Sequence, residues 1–359
     1  MRIGIPKEIK DHEHRVAITP AGVRVLAQAG HRALVERNAG LAIGLDDAAY
    51  QAAGAEMADA VAVYDADIVF KVKEPQPAEL ARLRSGQILF CYLHLAAAPD
   101  LARSLMAIGV TAIAFETVLD KAGRTPLLAP MSQIAGRLAL QMGMQALEMK
   151  NGGRGVLLSG VPGVPPARVV ILGGGVVGAN AARIAVGLGT NVTLLDRDPE
   201  RLRTFDDLYG GRLKTRYSNA GSIEEVVRRA DLVIGAAYVL GRRAPTLLPR
   251  ELLRTMPNGS ALVDVAIDQG GVAETSRPTT HSHPFYVEEG VVHYCVANMP
   301  GAVARTSTLA LAEVTLPYLL RLAADPQLAM DEDPGFAAGL NVAEGRIVHP
   351  GLAKDLAEK

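Results

Sequence analysis

Short apolar runs recur along the chain, and most are separated by segments with helical spacing. Residues 2–5 (RIGI) read as an edge strand that Pro6 ends, because proline has no N–H to give a ladder. Residues 31–36, 67–71 (DIVFK), 87–91 (QILFC) and 110–114 are further strands. Between them Thr19 caps a helix that Pro20 opens and that stops near Gly30. Asp46 opens a short helix, residues 55–59 lead another, residues 80–84 close one, and Pro99 opens one that reaches about Ile108. This alternation of strand and helix predicts an α/β layer structure for the first portion of the chain.

Pro126 to Pro130 reads as a hinge or crossover, followed by a long helical pattern over 131–149 with Ala135, Leu138, Ala139, Met142 and Ala146 on one side. A Gly/Pro-rich loop over 151–166 precedes RVVILGGGVVGANAARIAVGLGTNVTLLD, residues 168–196. Here an apolar strand runs into Gly173, Gly175 and Gly178 in G-x-G-x-x-G spacing. A helix over 176–188 and a second strand over 191–195 then end at Asp196, about twenty residues past the first glycine. That order specifies a dinucleotide-binding unit. The first glycine permits the tight turn, the second lets backbone N–H groups approach a pyrophosphate, and the third lets helix and strand pack closely. Val176, Val177 and Gly178 lie in the first turn of the helix, whose end carries unpaired donors and a positive dipole. Past it, Pro199 opens a helix, Ser222 and Glu225 form a capping box, and 231–235, 260–265 and 291–294 are strands. Residues 304–323 are one long helix, and the remainder reads as shorter helical and turn pieces.

At 359 residues the chain exceeds the usual limit of one core, so two domains are expected. Aromatics make up only 4% and Trp is absent, so the cores rest on aliphatic side chains and Met. Net charge is −1, which offers no basic surplus for a nucleic-acid partner. No charge-free apolar run is long enough to span a membrane. Two cysteines argue against a disulfide framework and suit a reduced cytoplasmic setting, and the polar N-terminus argues against a signal peptide.

Lys73, His94 and Asp268 each follow an apolar strand, where α/β enzymes place chemistry, and Arg15 sits in the loop after the first strand. Each also has a bland reading: a surface ion pair for Arg15, a solvated loop for Lys73, a satisfied core imidazole for His94, a turn cap for Asp268. Together they offer two cations for a carboxylate, a residue type that titrates near neutral pH, and an acid that positions water or imidazole. His281 and His283 form H-x-H, too few ligands for a zinc site, and no metal is expected. Cys295 has no evident base beside it and reads as packed rather than nucleophilic.

The segments MRIGIPKE, RVAITPAGV, VKEP, LHLAA, APMSQIAGR, GGRGVLLSGVPGV, LGGGVVG, TRYSNA, ADLVIGA, VDVAIDQGG, RPTTHSHP and YCVANMPGAVARTST lie in order along nearly the whole chain. In them the sequence resembles the family of alanine dehydrogenases, which includes the NAD-binding component of proton-pumping transhydrogenases. The resemblance implies a Rossmann-type, doubly wound nucleotide domain and a discontinuous α/β substrate domain. The substrate domain then covers 1–128 and 305–359, and the NAD-binding domain 129–304. It further implies reversible, NAD-dependent conversion of L-alanine to pyruvate and ammonia by a cytoplasmic homohexamer. Arg15 and Lys73 would bind substrate, His94 would be the acid/base, and Asp268 would order the catalytic water. Ser132, Gln133, Asp196, Arg197, Arg201, Ser218, Val239, Leu240, Ile267, Asp268, Asn298 and Met299 join the glycine turn as coenzyme contacts. LHLAA, with His94, and the lack of a pumping domain past Lys359 favour the free-standing dehydrogenase. An opine- or lysine-forming dehydrogenase and a non-catalytic NAD(H)-binding module are the alternatives.

Overall fold

The computed structural model describes residues 1–237 and 243–357. Its strands run in chain order as Arg2–Ile5 (β1), Arg32–Glu36 (β2), Glu56–Ala58 (β3), Ile68–Phe70 (β4), Ile88–Cys91 (β5) and Thr111–Ala114 (β6). Arg168–Leu172 (β7), Asn191–Asp196 (β8), Leu213–Tyr217 (β9), Leu232–Gly235 (β10), Ala261–Asp264 (β11), Phe285–Glu288 (β12) and Val291–Tyr294 (β13) follow. Leu340–Ala343 (β14) and Arg346–Ile347 (β15) come last. They form two sheets in two units, Met1–Met131 with Val303–Lys359, and Ser132–Ala302.

The first sheet has the order β15-β14-β6-β5-β4-β1-β2-β3, parallel from β3 to β6. Parallel strands are covered on both faces, so β4 and β5 are apolar and buried at every position. The strand order reverses beside β1, which puts a topological switch point between β1 and β4. The long helix Ala304–Ala324 belongs to this unit, where Thr308 Oγ1 accepts from Val16 N at 3.1 Å.

Three local expectations change. β3 is a strand too short to show a period. It precedes the helix Ala60–Tyr64, which the Asp59 side chain caps by accepting from Ala62 N. The helix expected to close over 80–84 ends already at Leu80: it is Pro77–Leu80, opened by a capping box between Gln76 and Glu79. The tail expected as helix and turn contains β14 and β15, a hairpin whose two turn residues, Glu344 and Gly345, both have positive φ (51° and 72°). That is the backbone a tight hairpin demands, but Glu lacks the Asn or Asp signature that announces it.

The second sheet has the order β12-β13-β11-β10-β7-β8-β9, with only β12 antiparallel. This is the Rossmann-type order, reversing between β7 and β10. β9 and β12 are additional to the strands read from the sequence. The capping box lies three residues earlier than expected: Asn219 is the N-cap of Ala220–Val227 and Ser222 its reciprocal partner.

Candidate active site

In the first unit the ends of adjacent strands carry the nominated residues side by side. Arg15 lies in the loop after β1, Lys73 after β4, and His94 after β5, all at the carboxyl edge next to the switch point. Arg15 is buried, with Nε donating to Glu13 Oε1 at 2.7 Å, Nη2 donating to Glu13 Oε2, and Nη1 3.2 Å from Met131 Sδ. Burial works against the guanidinium charge, but the Glu13 carboxylate outweighs it, so the arginine pKa stands above its ordinary value. One edge of the fork is therefore committed to Glu13.

Lys73 is largely buried, its Nζ 3.9 Å from Glu74 Oε2. His94 has left-handed backbone, φ 49°, a conformation that costs a non-glycine residue about 1–3 kcal/mol unless its surroundings impose it. Glu116, just past β6, imposes it here by accepting from His94 N at 2.6 Å and from Leu93 N at 3.3 Å. The His94 ring lies parallel to the Tyr92 ring, centroids 5.8 Å apart, and Tyr92 donates its hydroxyl to Leu127 O at 2.6 Å. Tyr92 in turn packs edge-on against Phe115, and Phe115 against Phe90. An aromatic floor thus holds an imidazole that remains substantially exposed (44%).

In the second unit every described coenzyme candidate except Ser132 and Gln133 lies at the carboxyl edge of the parallel strands or in the first turn of the helix that follows them. Gly173 follows β7 with φ 105°, where a side chain would press on Ala236 O. A Cβ on Gly178 would lie 1.8 Å from Gly173 O, so only glycine permits this helix–turn contact. A Cβ on Gly175 would meet nothing within 4 Å, and no side chain caps the helix Val176–Gly187 that begins there. An open, uncapped helix N-terminus fits a diphosphate.

Asp196 ends β8 and is buried, accepting from Gly174 N at 2.6 Å and Asp198 N at 2.8 Å. It therefore stitches the glycine turn to β8. Arg201, rather than the exposed Arg197, is the cation beside it: Arg201 Nη1 is 3.6 Å from Asp196 Oδ2 and Nε 3.3 Å from Asp198 Oδ2. Ser218 follows β9, its N donating to Asp196 O at 2.9 Å. Ile267 and Asp268 form a short turn after β11, Ile267 buried and Asp268 exposed. Asn298 has φ 65° and offers its carbonyl to His281 Nε2 at 3.2 Å, beside buried Met299. Ser132 and Gln133 sit in the first turns of Ala129–Ala146, half-buried and exposed respectively. Val239 and Leu240 lie outside the described residues. Cys295 is fully buried, and burial pushes its thiol up to about 11, so it stays protonated at neutral pH.

Residues 4–135 match the family model "Alanine dehydrogenase/PNT, N-terminal domain", and residues 139–350 match "Alanine dehydrogenase/PNT, C-terminal domain". The chain belongs to the alanine dehydrogenase/PNT family. An alanine dehydrogenase of Halomonas elongata is 56% identical over 99% of this chain and 96% of its own length. A solved L-alanine dehydrogenase superposes with a TM-score of 0.96 at 51% identity, covering 100% of this chain and 99% of that one. A transhydrogenase from Sinorhizobium meliloti superposes with a TM-score of 0.82 at 25% identity, over 98% and 99%.

The nominated residues of this alanine dehydrogenase/PNT chain are backed by buried charged partners that do not stand out in the sequence. Glu8, Glu13, Lys71 and Glu116 carry no motif that singles them out in the sequence. Glu13 and Lys71 are buried ionised partners, and Glu116 holds the loop that carries His94. The available signal was a lysine placed at the end of an apolar strand, DIVFK, where a cation needs a partner.

Proposed function

We propose that this protein catalyses the reversible, NAD-dependent oxidative deamination of L-alanine to pyruvate and ammonia. One observation carries the reading: two buried cations and an exposed imidazole stand at the carboxyl ends of three neighbouring strands, in a chain whose other unit has a dinucleotide turn. Bound NAD supplies the hydride acceptor. Arg15 and Lys73 hold the substrate carboxylate and the oxygen that becomes the pyruvate carbonyl, and their charge stabilises that oxygen as water adds. His94 moves the proton at its ring nitrogen, first from the attacking water and then to the departing ammonia. Asp268 orders the water. The helix N-terminus at Val176, Val177 and Gly178 receives the diphosphate. Asp196 accepts from the adenosine ribose, with Arg197, Arg201, Ser218, Ile267, Asn298 and Met299 as further coenzyme contacts, and Ser132 and Gln133 toward the phosphates and nicotinamide. The same reading carries the expectation of a cytoplasmic homohexamer; sedimentation velocity tests the hexamer.

The test is NADH oxidation with pyruvate and ammonium, and NAD reduction with L-alanine. Turnover in both directions supports the reading. Turnover only when lysine or another large amine replaces ammonium supports an opine-type enzyme, and NADH binding with no turnover supports a nucleotide-binding module.

A further inference from the structure

Lys71 is the last residue of the DIVFK run and is fully buried, yet it is an ammonium. Its Nζ lies 3.0 Å from Glu8 Oε2, 3.2 Å from Glu79 Oε1 and 3.0 Å from the backbone carbonyl of Lys73. Glu79 is fixed independently, accepting from Tyr64 Oη and from Gln76 N, each at 2.6 Å. Burial opposes the charge on Lys71, but the two carboxylates outweigh it and hold its pKa above the ordinary lysine value. All three ammonium donors are spent inside the protein, so Lys71 has none to give a substrate.

The arrangement has a directed consequence for the next residue but one. Glu8 Oε1 accepts from Val72 N at 2.6 Å and from Lys73 N at 3.2 Å. The N–H of Lys73 is thus held by Glu8, and its C=O is held by Lys71. Regular ladder bonding is fading at this point: β4 ends at Phe70, and the last bonds to the β5 side are Lys71 N to Phe90 O and Tyr92 N to Val72 O. Both polar groups of the Lys73 backbone are therefore taken by one buried ion pair where the sheet no longer supplies partners. Buried ion pairs contribute little net stability compared with apolar replacements, so retention of a fully buried lysine here asks for another role.

We propose that Lys71, through Glu8, is a positioning residue that fixes the backbone of Lys73 and so aims the Lys73 ammonium at the carboxylate-bearing substrate. The inference rests on the assignment of Lys73 to substrate binding made above. Lys71 does not touch substrate, and its effect runs entirely through Lys73.

The test compares the parent, Lys71→Met/Glu8→Gln, Glu8→Gln alone, Lys73→Met, and the triple variant, each as the full-length protein. The first removes the charges of Lys71 and Glu8 while keeping volume, and leaves Glu79 with the Tyr64 and Gln76 donors but without its cation. The expected result is a pyruvate KM raised tenfold or more in Lys71→Met/Glu8→Gln, with the NADH dissociation constant within twofold of the parent. On the Lys73→Met background the same pair of changes should move the pyruvate KM less than twofold, because the group being aimed is gone. A merely structural pair would instead shift KM or kcat equally on both backgrounds, and that result overturns the proposal, as does a parent-like pyruvate KM in Lys71→Met/Glu8→Gln. If Lys71→Met/Glu8→Gln shows no cooperative melt, Glu8→Gln alone decides. It is nearly isosteric and leaves Lys71 paired with Glu79, so a KM rise confined to pyruvate supports the role and an unchanged KM removes it. Absence of pyruvate turnover in the parent would sink the functional reading itself, an outcome separate from any of these.

Discussion

Replacing Arg15 with Ala should damage two properties at once, and the structure separates them. The guanidinium and the Glu13 carboxylate are both buried and joined by two hydrogen bonds, with a third from Arg15 N to Glu13 Oε1 at 3.0 Å. Removing one member of such a pair leaves an uncompensated buried charge, at about 3–5 kcal/mol. For a unit of this size each kcal/mol moves a melting midpoint by roughly 2–4 °C, so Arg15→Ala should melt about 6–20 °C lower. Separately, pyruvate loses a charge-assisted contact, at roughly 2–5 kcal/mol in kcat/KM. Arg15→Met/Glu13→Gln tells the two apart. Removing both charges should recover most of the melting loss, since apolar replacement of a whole buried pair is often neutral. Pyruvate use should stay impaired and NADH binding, followed by fluorescence titration, should stay near the parent in both variants. An Arg15→Ala protein that melts within about 2 °C of the parent would refute the buried-pair argument. Recovery of pyruvate kinetics in Arg15→Met/Glu13→Gln would refute the role of Arg15 in recognition.

Three further outcomes follow from single residues. NAD should be preferred over NADP in kcat/KM comparisons, and Asp196→Ala should both erase that preference and weaken NADH binding, because the carboxylate also holds Gly174 N; equal efficiency with the two coenzymes in the parent would end the claim. His94→Gln should lower kcat by about 100-fold or more and remove one limb from the pH profile of kcat/KM, while circular dichroism and NADH binding persist; parent-like turnover would make His94 a packing residue. His293 is buried, with its rings atoms engaged by Thr275 Oγ1 at 2.7 Å and Val291 O at 2.8 Å, and burial lowers its pKa below the ordinary 6.5. The unfolded chain therefore takes up a proton first as pH falls: the stabilisation is present above about 6.5 and is lost as pH drops through the lower native value. Urea unfolding between pH 8 and 5 should show this slope, flattened in His293→Gln, and an identical slope in that variant would count against it.

The fold was legible where a period had room to show itself. β7, the glycine turn and its helix need fixed residues at fixed offsets, and residues 168–196 announce them. Strands of two to five residues such as β3, β9, β14 and β15 carry too few positions for alternation, and their pairing is set by neighbours remote in sequence, as Leu340 opposite Ile113 shows. Lys73, His94 and Asp268 were legible because a polar residue just past an apolar strand stands out. Arg197 and Arg201 were both nominated, and the choice between them was not legible: Arg201 approaches Asp196 because the first turn of the Pro199–Tyr209 helix folds back toward the end of β8.

What sequence hid most completely is a recurring device, a carboxylate that spends its oxygens on the backbone N–H groups of a site loop. Glu8 holds Val72 and Lys73, Glu116 holds Leu93 and His94, and Asp196 holds Gly174 and Asp198. Asp264 holds Ala266 N at 3.1 Å and Val272 N at 2.7 Å around the turn that bears Asp268, with Ser276 Oγ donating to it at 2.6 Å. Loops past a sheet edge lose the ladder, and buried N–H groups there must find other acceptors. A carboxylate suits this task because it only accepts, and an amide does not, because its NH2 turns one of the two positions into a donor facing another donor. Asp264→Asn should therefore cost about 1–3 kcal/mol in urea unfolding, the penalty for leaving one buried donor unpaired. Because the loosened turn carries Asp268, kcat should fall along with stability, whereas a substitution of at least equal thermodynamic cost in the apolar core, such as Leu262→Ala, should lower stability with kcat retained in the folded fraction. Equal kcat in Asp264→Asn and Leu262→Ala, measured well below either melting point, would show that the carboxylate supports the fold and not the turn.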